Sequence, residues 1–351
     1  MVTSNNNGKQ LFVGIDLGTS RTTVMSSRGA KAMVRSVVGY PKDIIGVKIL
    51  NDTVVVGQPA LDNHAYLNLH FPLADGVLKE TSEKDEQSAR ELLRHVIGLA
   101  GAQAEEPVYG IIGVPARASV YNKSQLLKIA DEMMTMAMVV SEPFMVAYGL
   151  DRLNNAIIID IGAGTIDICA MKGTVPGPHD QVTLMKGGNY VDEVFSHAIS
   201  ESYPDVQMTP FLAQKIKEKH GFVGEPAEEV VVSLRANGKP MLHDVTRELR
   251  FACETVVPDI LESLETLIAT FDPENQQDAL GNIILAGGGS NMVGLDVAIA
   301  EGLKAYGKVQ VTRVADPDFS GCAGALKLAT ELPTEYWSQV GDTIGGNRSQ
   351  P

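Results

Sequence analysis

Short apolar runs that end in an acid and a glycine punctuate the chain. Leu11 to Asp16 is the first, and its alternation with the turn that follows and with Thr22 to Ser26 predicts a strand, a tight turn and a second strand, a hairpin. From about Gly29 to Ala74, β-like pieces such as Thr53 to Val56 are broken by Gly39, Pro41, Gly46, Gly57 and Pro59, the pattern of a small insertion. Glu83 to Ala100 places Ala89, Leu92, Leu93, Val96 and Ile97 at helical spacing and precedes a strand at Tyr109 to Val114. A helix at Asn122 to Thr135 and a strand at Ala137 to Val140 continue the alternation, which predicts an α/β sheet flanked by helices. Met133, Met134, Met136 and Met138 read as core filling beside that sheet, and Thr81 to Arg90 as a solvated helix face.

Ala156 to Asp160 repeats the opening run. Gly14-Ile15-Asp16-Leu17-Gly18-Thr19 is matched by Ile158-Ile159-Asp160-Ile161-Gly162-Ala163, with Thr165 beyond, at a separation of 144 residues from Asp16 to Asp160. A repeat at that distance predicts two related domains, each beginning with the same hairpin. A later strand, Asn282 to Ala286, opens into Gly287-Gly288-Gly289 and a helical segment from Gly294 to Tyr306.

With 351 residues, 44% of them hydrophobic, the chain can bury two cores. Its net charge of −14 and lack of a basic patch argue against nucleic acid or an anionic membrane as partner. Cys169, Cys253 and Cys322 form no CxxC spacing, so neither a disulfide framework nor a zinc site is expected, and a reducing cytoplasm suits them. The seven histidines form no HxxxH or HExxH pair. Met1 to Gln10 is polar without an apolar h-region, and no run of eighteen apolar residues occurs, so secretion, membrane spanning and an amphipathic anchor are not expected.

An acid at the end of a strand, followed by a glycine turn, suits a phosphate chain with magnesium: turn N–H groups hold phosphate oxygens and the carboxylate holds metal-bound water. Gly18 permits close approach, and Thr19, Ser20 and Thr22 add hydroxyl donors. One such turn alone reads first as a plain hairpin with a surface aspartate. Two copies and a third glycine-rich strand end favour a nucleotide. No GxxxxGK[ST] loop is present, nor an intact GxGxxG after a strand.

Gly14 to Thr19, Asp160 to Thr165 and Leu285 to Ser290 resemble the phosphate-1, phosphate-2 and adenosine motifs of the actin, sugar kinase and DnaK-type chaperone superfamily. Ile111 to Ala116 and Gly321 to Ala325 resemble its two connecting motifs, in the family's order. Within it the chain is similar to bacterial actin-like ATPases, most closely the magnetosome-associated ones, through Ser36 to Asp43, Gly113 to Ser119, Val140 to Val146 and Lys172 to Pro178. None of these four stretches is explained by nucleotide binding alone.

The resemblance implies an actin-like α/β fold with two ribonuclease H-like cores around a nucleotide cleft. The subdomains would be 9–30, 75–152 and 316–351 (IA), 31–74 (IB), 153–188 and 245–315 (IIA), and 189–244 (IIB). It implies ATP or ADP with Mg2+. Asp16 and Asp160 would hold the metal through water, with Asp160 also catalytic. Gly18, Thr19, Ser20, Gly162, Ala163, Gly164 and Thr165 would hold phosphates, and Gly287, Gly288, Gly289 and Ser290 would face adenosine. Glu142 matches the water-orienting glutamate of bacterial actins, while Ser141-Glu142-Pro143 also reads as a helix start. Gly188 and Asp192 match a glycine and acid near the nucleotide, Asp192 reading equally as a helix cap. Gln214, where relatives carry Glu, and Lys217 match a helix reaching ribose and adenine, Lys217 reading equally as solvated. Asp167 reads as polar support for its turn. The implied function is a cytoplasmic filament that organises or positions magnetosomes through self-assembly and an adaptor protein. A small-molecule kinase, or a cell-shape or plasmid-segregation actin, is the alternative.

Overall fold

The computed structural model describes residues 10–79, 82–333 and 335–337, so the expectations for Met1 to Lys9, for Thr81 and for the tail to residue 351 lie outside the described residues. The chain divides into two compact units, one running to Asp151 and resuming at Phe319, the other from Arg152 to Asp318.

In the first unit, β1 (Leu11–Leu17) and β2 (Arg21–Ser26) form the expected hairpin, Asp16 opposite Thr23 and Leu17 opposite Thr22. β3 (Lys31–Arg35) pairs antiparallel with β2. On the other side β4 (Val108–Val114) runs parallel to β1, and β5 (Met136–Ser141) parallel to β4, giving the order β5-β4-β1-β2-β3. The central strands bury Leu11, Val13, Ile15, Val108, Ile112 and Val114 because helices cover the sheet. One of them, Glu83–Leu99, presents the stripe of Ala89, Leu92, Leu93, Val96 and Ile97 to the core, and the Ser82 hydroxyl caps it by accepting from the Asp85 N–H.

Two expectations change. The helix foreseen at Asn122 to Thr135 spans Val120–Ala130, capped by Ser119, because the chain turns at Asp131 to Met134 to enter β5. Of the four methionines only Met134 is fully in the core. Met136 and Met138 lie on β5, the edge strand, and are half-buried. The region after β3 folds as a separate three-stranded sheet of Val38–Pro41, Val55–Val56 and Leu67–His70.

The second unit repeats the plan. β6 (Asn154–Ile161) and β7 (Ile166–Lys172) are antiparallel, with Asp160 opposite Asp167. β8 (Gln181–Leu184) follows antiparallel, while β9 (Ile283–Ala286) and β10 (Val311–Arg313) lie parallel on the other side. The order β8-β7-β6-β9-β10 is that of the first unit, which gives the sequence repeat its structural meaning. Phe195 and Ile199 from helix Gly188–Ser202, with Leu249, Ile260 and Leu264, fill the core against Ile157, Ile159 and Ile161. The three cysteines are buried and unbridged.

Close helix approach depends on two glycines of helix Ser320–Glu331. A Cβ on Gly324 would collide with the Met145 carbonyl of helix Glu142–Gly149, and one on Gly321 would lie 2.6 Å from the Asp16 carboxylate. Gly324→Ala should therefore destabilise the protein by roughly 1–3 kcal/mol. Gly98→Ala, at a helical site with nothing within 4 Å of the new atom, should stabilise it by about 0.4–1 kcal/mol. Urea unfolding of both variants checks this, and equal effects would refute the packing argument.

Candidate functional site

β1, β4 and β5 are parallel, so their carboxyl ends share one edge, where Asp16, Gly113 and Val140 stand in a row. Glu142 comes two residues after Val140 and opens helix Glu142–Gly149. Ser141 is at the N-cap position, but its side chain makes no capping bond, and Pro143 sits in the first turn. Glu142 is 8% exposed, and a Cβ on Gly113 would be 3.3 Å from its Cγ. Asp16 and Glu142 thus occupy the same edge, the usual location of ligands on such sheets.

The turn after β1 needs glycine at 18, since a Cβ there would be 2.6 Å from the Arg21 carbonyl oxygen. The Thr19 Oγ1 accepts from the Gly76 N–H at 2.6 Å, and the Ser20 Oγ accepts from the Arg35 guanidinium at 3.0 Å. Gly76 and Arg35 escaped the sequence reading because each is joined to its serine or threonine by tertiary pairing. The one local signal was Asp75-Gly76, a tight-turn dipeptide with both residues at positive φ.

In the second unit Asp160 is 6% exposed. The turn after it is tied to the start of helix Gly188–Ser202 by three N–H groups: Gly187 to the Gly164 carbonyl at 3.1 Å, Gly188 to Gly162 at 2.9 Å and Asn189 to Ala163 at 2.8 Å. Because a trans peptide points its N–H opposite to its C=O, the N–H groups of residues 163, 164 and 165 face away from that helix. A Cβ on Gly187 would collide with Ala163 and Gly164, so glycine at this position makes the contact possible. Thr165 donates its hydroxyl proton to Asp167 at 2.8 Å, and Thr183 donates to the other Asp167 oxygen at 2.6 Å. Asp167 is therefore polar support for the turn, as expected, and any anion contact from Thr165 comes from its backbone.

Asp192 does not cap the helix, which begins at Gly188. It is buried and pairs with Lys217 at 3.2 Å, while the Lys217 ammonium also donates to the Gly188 carbonyl at 3.1 Å. Burial pushes the Asp192 carboxyl up to about 6, with Lys217 opposing the rise. Gln214, one turn before Lys217 on helix Pro210–His220, donates its amide to Glu218 at 3.0 Å. The third motif closes on the second: Gly287 has φ +72, a Cβ there would collide with the Asp160 carboxylate, and the Ser290 hydroxyl donates to the Gly287 carbonyl at 2.7 Å. Asp16 in the first unit and Asp160 in the second each carry carboxylate oxygens, the hard donors magnesium takes, beside glycine backbone that leaves them room. Among the described residues no group of three or more His, Cys, Asp or Glu is placed to hold a metal. No helix among them is long and apolar enough to cross a membrane.

The sequence profile described as MreB/Mbl protein matches residues 10–335. The actin-like protein MamK of Paramagnetospirillum magneticum is 55% identical over 336 residues, 96% of this chain and 97% of that protein. The solved MamK double helical filament has a TM-score of 0.91 at 55% identity, covering 92% of this chain and 100% of that one. A non-polymerising MamK mutant bound to AMPPNP has a TM-score of 0.73 at 54% identity, covering 92% and 99%. Matched along nearly its whole length in sequence and fold, this chain belongs to the MreB/Mbl family of actin-like proteins.

Proposed function

We propose that this chain is an ATPase of the actin type that assembles with copies of itself into cytoplasmic filaments. These organise or position magnetosomes through a magnetosome-associated adaptor protein. The observation that carries the reading is the pair of acid-and-glycine turns at the same place in two sheets of identical strand order. The chain is also similar to a protein whose structure holds AMPPNP. The turns after Asp16 and Asp160 hold the phosphates of ATP or ADP, and Gly287 to Ser290 face adenosine. Lys217, with Gln214, reaches the ribose and adenine. The segments 31–74 and 189–244 act as the small subdomains of this plan.

Asp16 and Asp160 would hold magnesium through water, and the ion, when bound, would neutralise phosphate charge. Glu142 orients the attacking water by accepting a hydrogen bond from it, a role of positioning and electrostatics. Support for assembly comes from helix Ile44–Leu50, where Ile44, Ile45, Val47 and Ile49 are exposed together, more apolar surface than scattered single residues explain.

Two measurements follow. Asp192 in the folded chain holds its proton up to about pH 6, against 3.8 ordinarily. Between these values the folded state binds more protons than the unfolded one, so stability falls as pH rises through this window. The loss is at most about 3 kcal/mol. Asp192→Asn lacks this titration. Urea unfolding of both proteins from about pH 4 to about pH 7 should show the variant gaining on the wild type as pH rises to about 6, and a constant difference would refute the burial argument. Glu142→Ala should bind ATP and polymerise while phosphate release drops by roughly tenfold to a thousandfold. If Glu142 only starts a helix, turnover per folded molecule stays intact and stability falls by about 1 kcal/mol or less. Phosphate release, pelleting and thermal midpoint on one preparation separate these outcomes.

A further inference from the structure

Ser36 opens one of the sequence stretches that nucleotide binding alone did not explain, and it is 1% exposed. Its hydroxyl donates to the Gly18 carbonyl at 2.6 Å. Its N–H donates to the Ser20 carbonyl at 3.0 Å. The Thr22 hydroxyl, 0% exposed, lies 2.9 Å from the Ser36 Oγ. A serine hydroxyl has a single proton, already given to Gly18, so Thr22 is the donor in that pair. The result is a buried relay from Thr22 through Ser36 to the Gly18 carbonyl.

The second unit makes the same two bonds with different chemistry. Gly162 and Gly164 are the counterparts of Gly18 and Ser20 in the repeat. Their carbonyls take the N–H groups of Gly188 at 2.9 Å and Gly187 at 3.1 Å. In the first unit Ser36 stands in for the glycine pair, supplying one bond from its side chain and the other from its backbone. With the Gly18 carbonyl held toward Ser36, the planar trans peptide points the Thr19 N–H the opposite way. The Ser20 carbonyl fixes the following peptide in the same manner.

We propose that Ser36 is a positioning residue for nucleotide binding, which holds the carbonyls of Gly18 and Ser20 so that the N–H groups of their peptides face the phosphate chain. The inference rests on the nucleotide reading above and names how the first turn is made ready for it. In Ser36→Ala the backbone bond to Ser20 survives, but the Gly18 carbonyl and the Thr22 hydroxyl lose their buried partner.

The test is calorimetric titration of the purified full-length chain with magnesium and AMPPNP, alongside the thermal midpoint without nucleotide. Folded Ser36→Ala should bind AMPPNP roughly five- to a hundredfold more weakly than wild type, the scale of one buried carbonyl left unpaired. A merely structural Ser36 would lower the midpoint and leave the dissociation constant of the folded protein unchanged, and that result overturns the inference. If Ser36→Ala does not fold, Thr22→Val carries the test. It removes the donor that orients the Ser36 hydroxyl, and a loss of affinity of about twofold or more is expected, whereas wild-type affinity overturns the proposal. Failure of the wild-type chain itself to bind AMPPNP would instead sink the nucleotide reading, before any variant is compared.

Discussion

Everything at the two turns depends on the planarity of the peptide group. A loop that is to offer several N–H groups to an anion must first dispose of the carbonyls of the same peptides, which point the other way. In the second unit the start of helix Gly188–Ser202 takes three of them. That contact requires glycine at 187, where any side chain would collide with the turn. The need for backbone-to-backbone contact thus explains Gly187 without assigning it to a ligand. The first unit meets the same requirement with the residues around Ser36. Equivalent strands and equivalent turns therefore carry different local sequences where they are tied back.

The same economy of space sets the two strand-end carboxylates. Gly321 and Gly287 each put bare backbone where a side chain would press on Asp16 or Asp160. Gly14 lets β1 approach helix Ser320–Glu331 so closely that a methyl group would collide with the Cys322 carbonyl. Packing at this distance leaves little freedom for relaxation, since protein interiors are as dense as organic crystals. The connecting motif Gly321 to Ala325 is thereby a packing motif: one glycine for the carboxylate, another for the neighbouring helix at Met145.

Much of this was legible because the signals are local. The hairpin, its repeat after 144 residues and the acid-and-glycine turns all lie within a few consecutive residues, and the strands formed where the alternation placed them. What the pattern did not carry was long-range pairing. Arg35, Ser36 and Gly76 meet the first turn only because β3 pairs with β2 and a short hairpin, Leu73–Ala74 with Val77–Leu78, folds back onto Thr19. Asp192 illustrates the other failure. An acid four residues after a glycine pair suits a cap, but the helix starts at the glycines, so the carboxylate falls inside the helix and is buried against Lys217. The methionine row misled for a related reason: spacing does not reveal that β5 is an edge strand.

Glu142 is where local and tertiary readings meet. A glutamate in the first turn of a helix gains about 0.3–1 kcal/mol from the helix dipole when it remains in water. At 8% exposure Glu142 is buried rather than solvated, so an exposed first-turn glutamate is not its setting. Ser141 does not use its side chain as a cap, so the helix start is no better built than many that lack a glutamate. The residue also stands at the carboxyl end of β5, in line with the row that contains Asp16. A buried acid at the edge of a sheet where a nearby strand also ends in an acid suits the water-orienting role proposed for it. Its burial, more than its position in the helix, is what the proposed water-orienting role would account for.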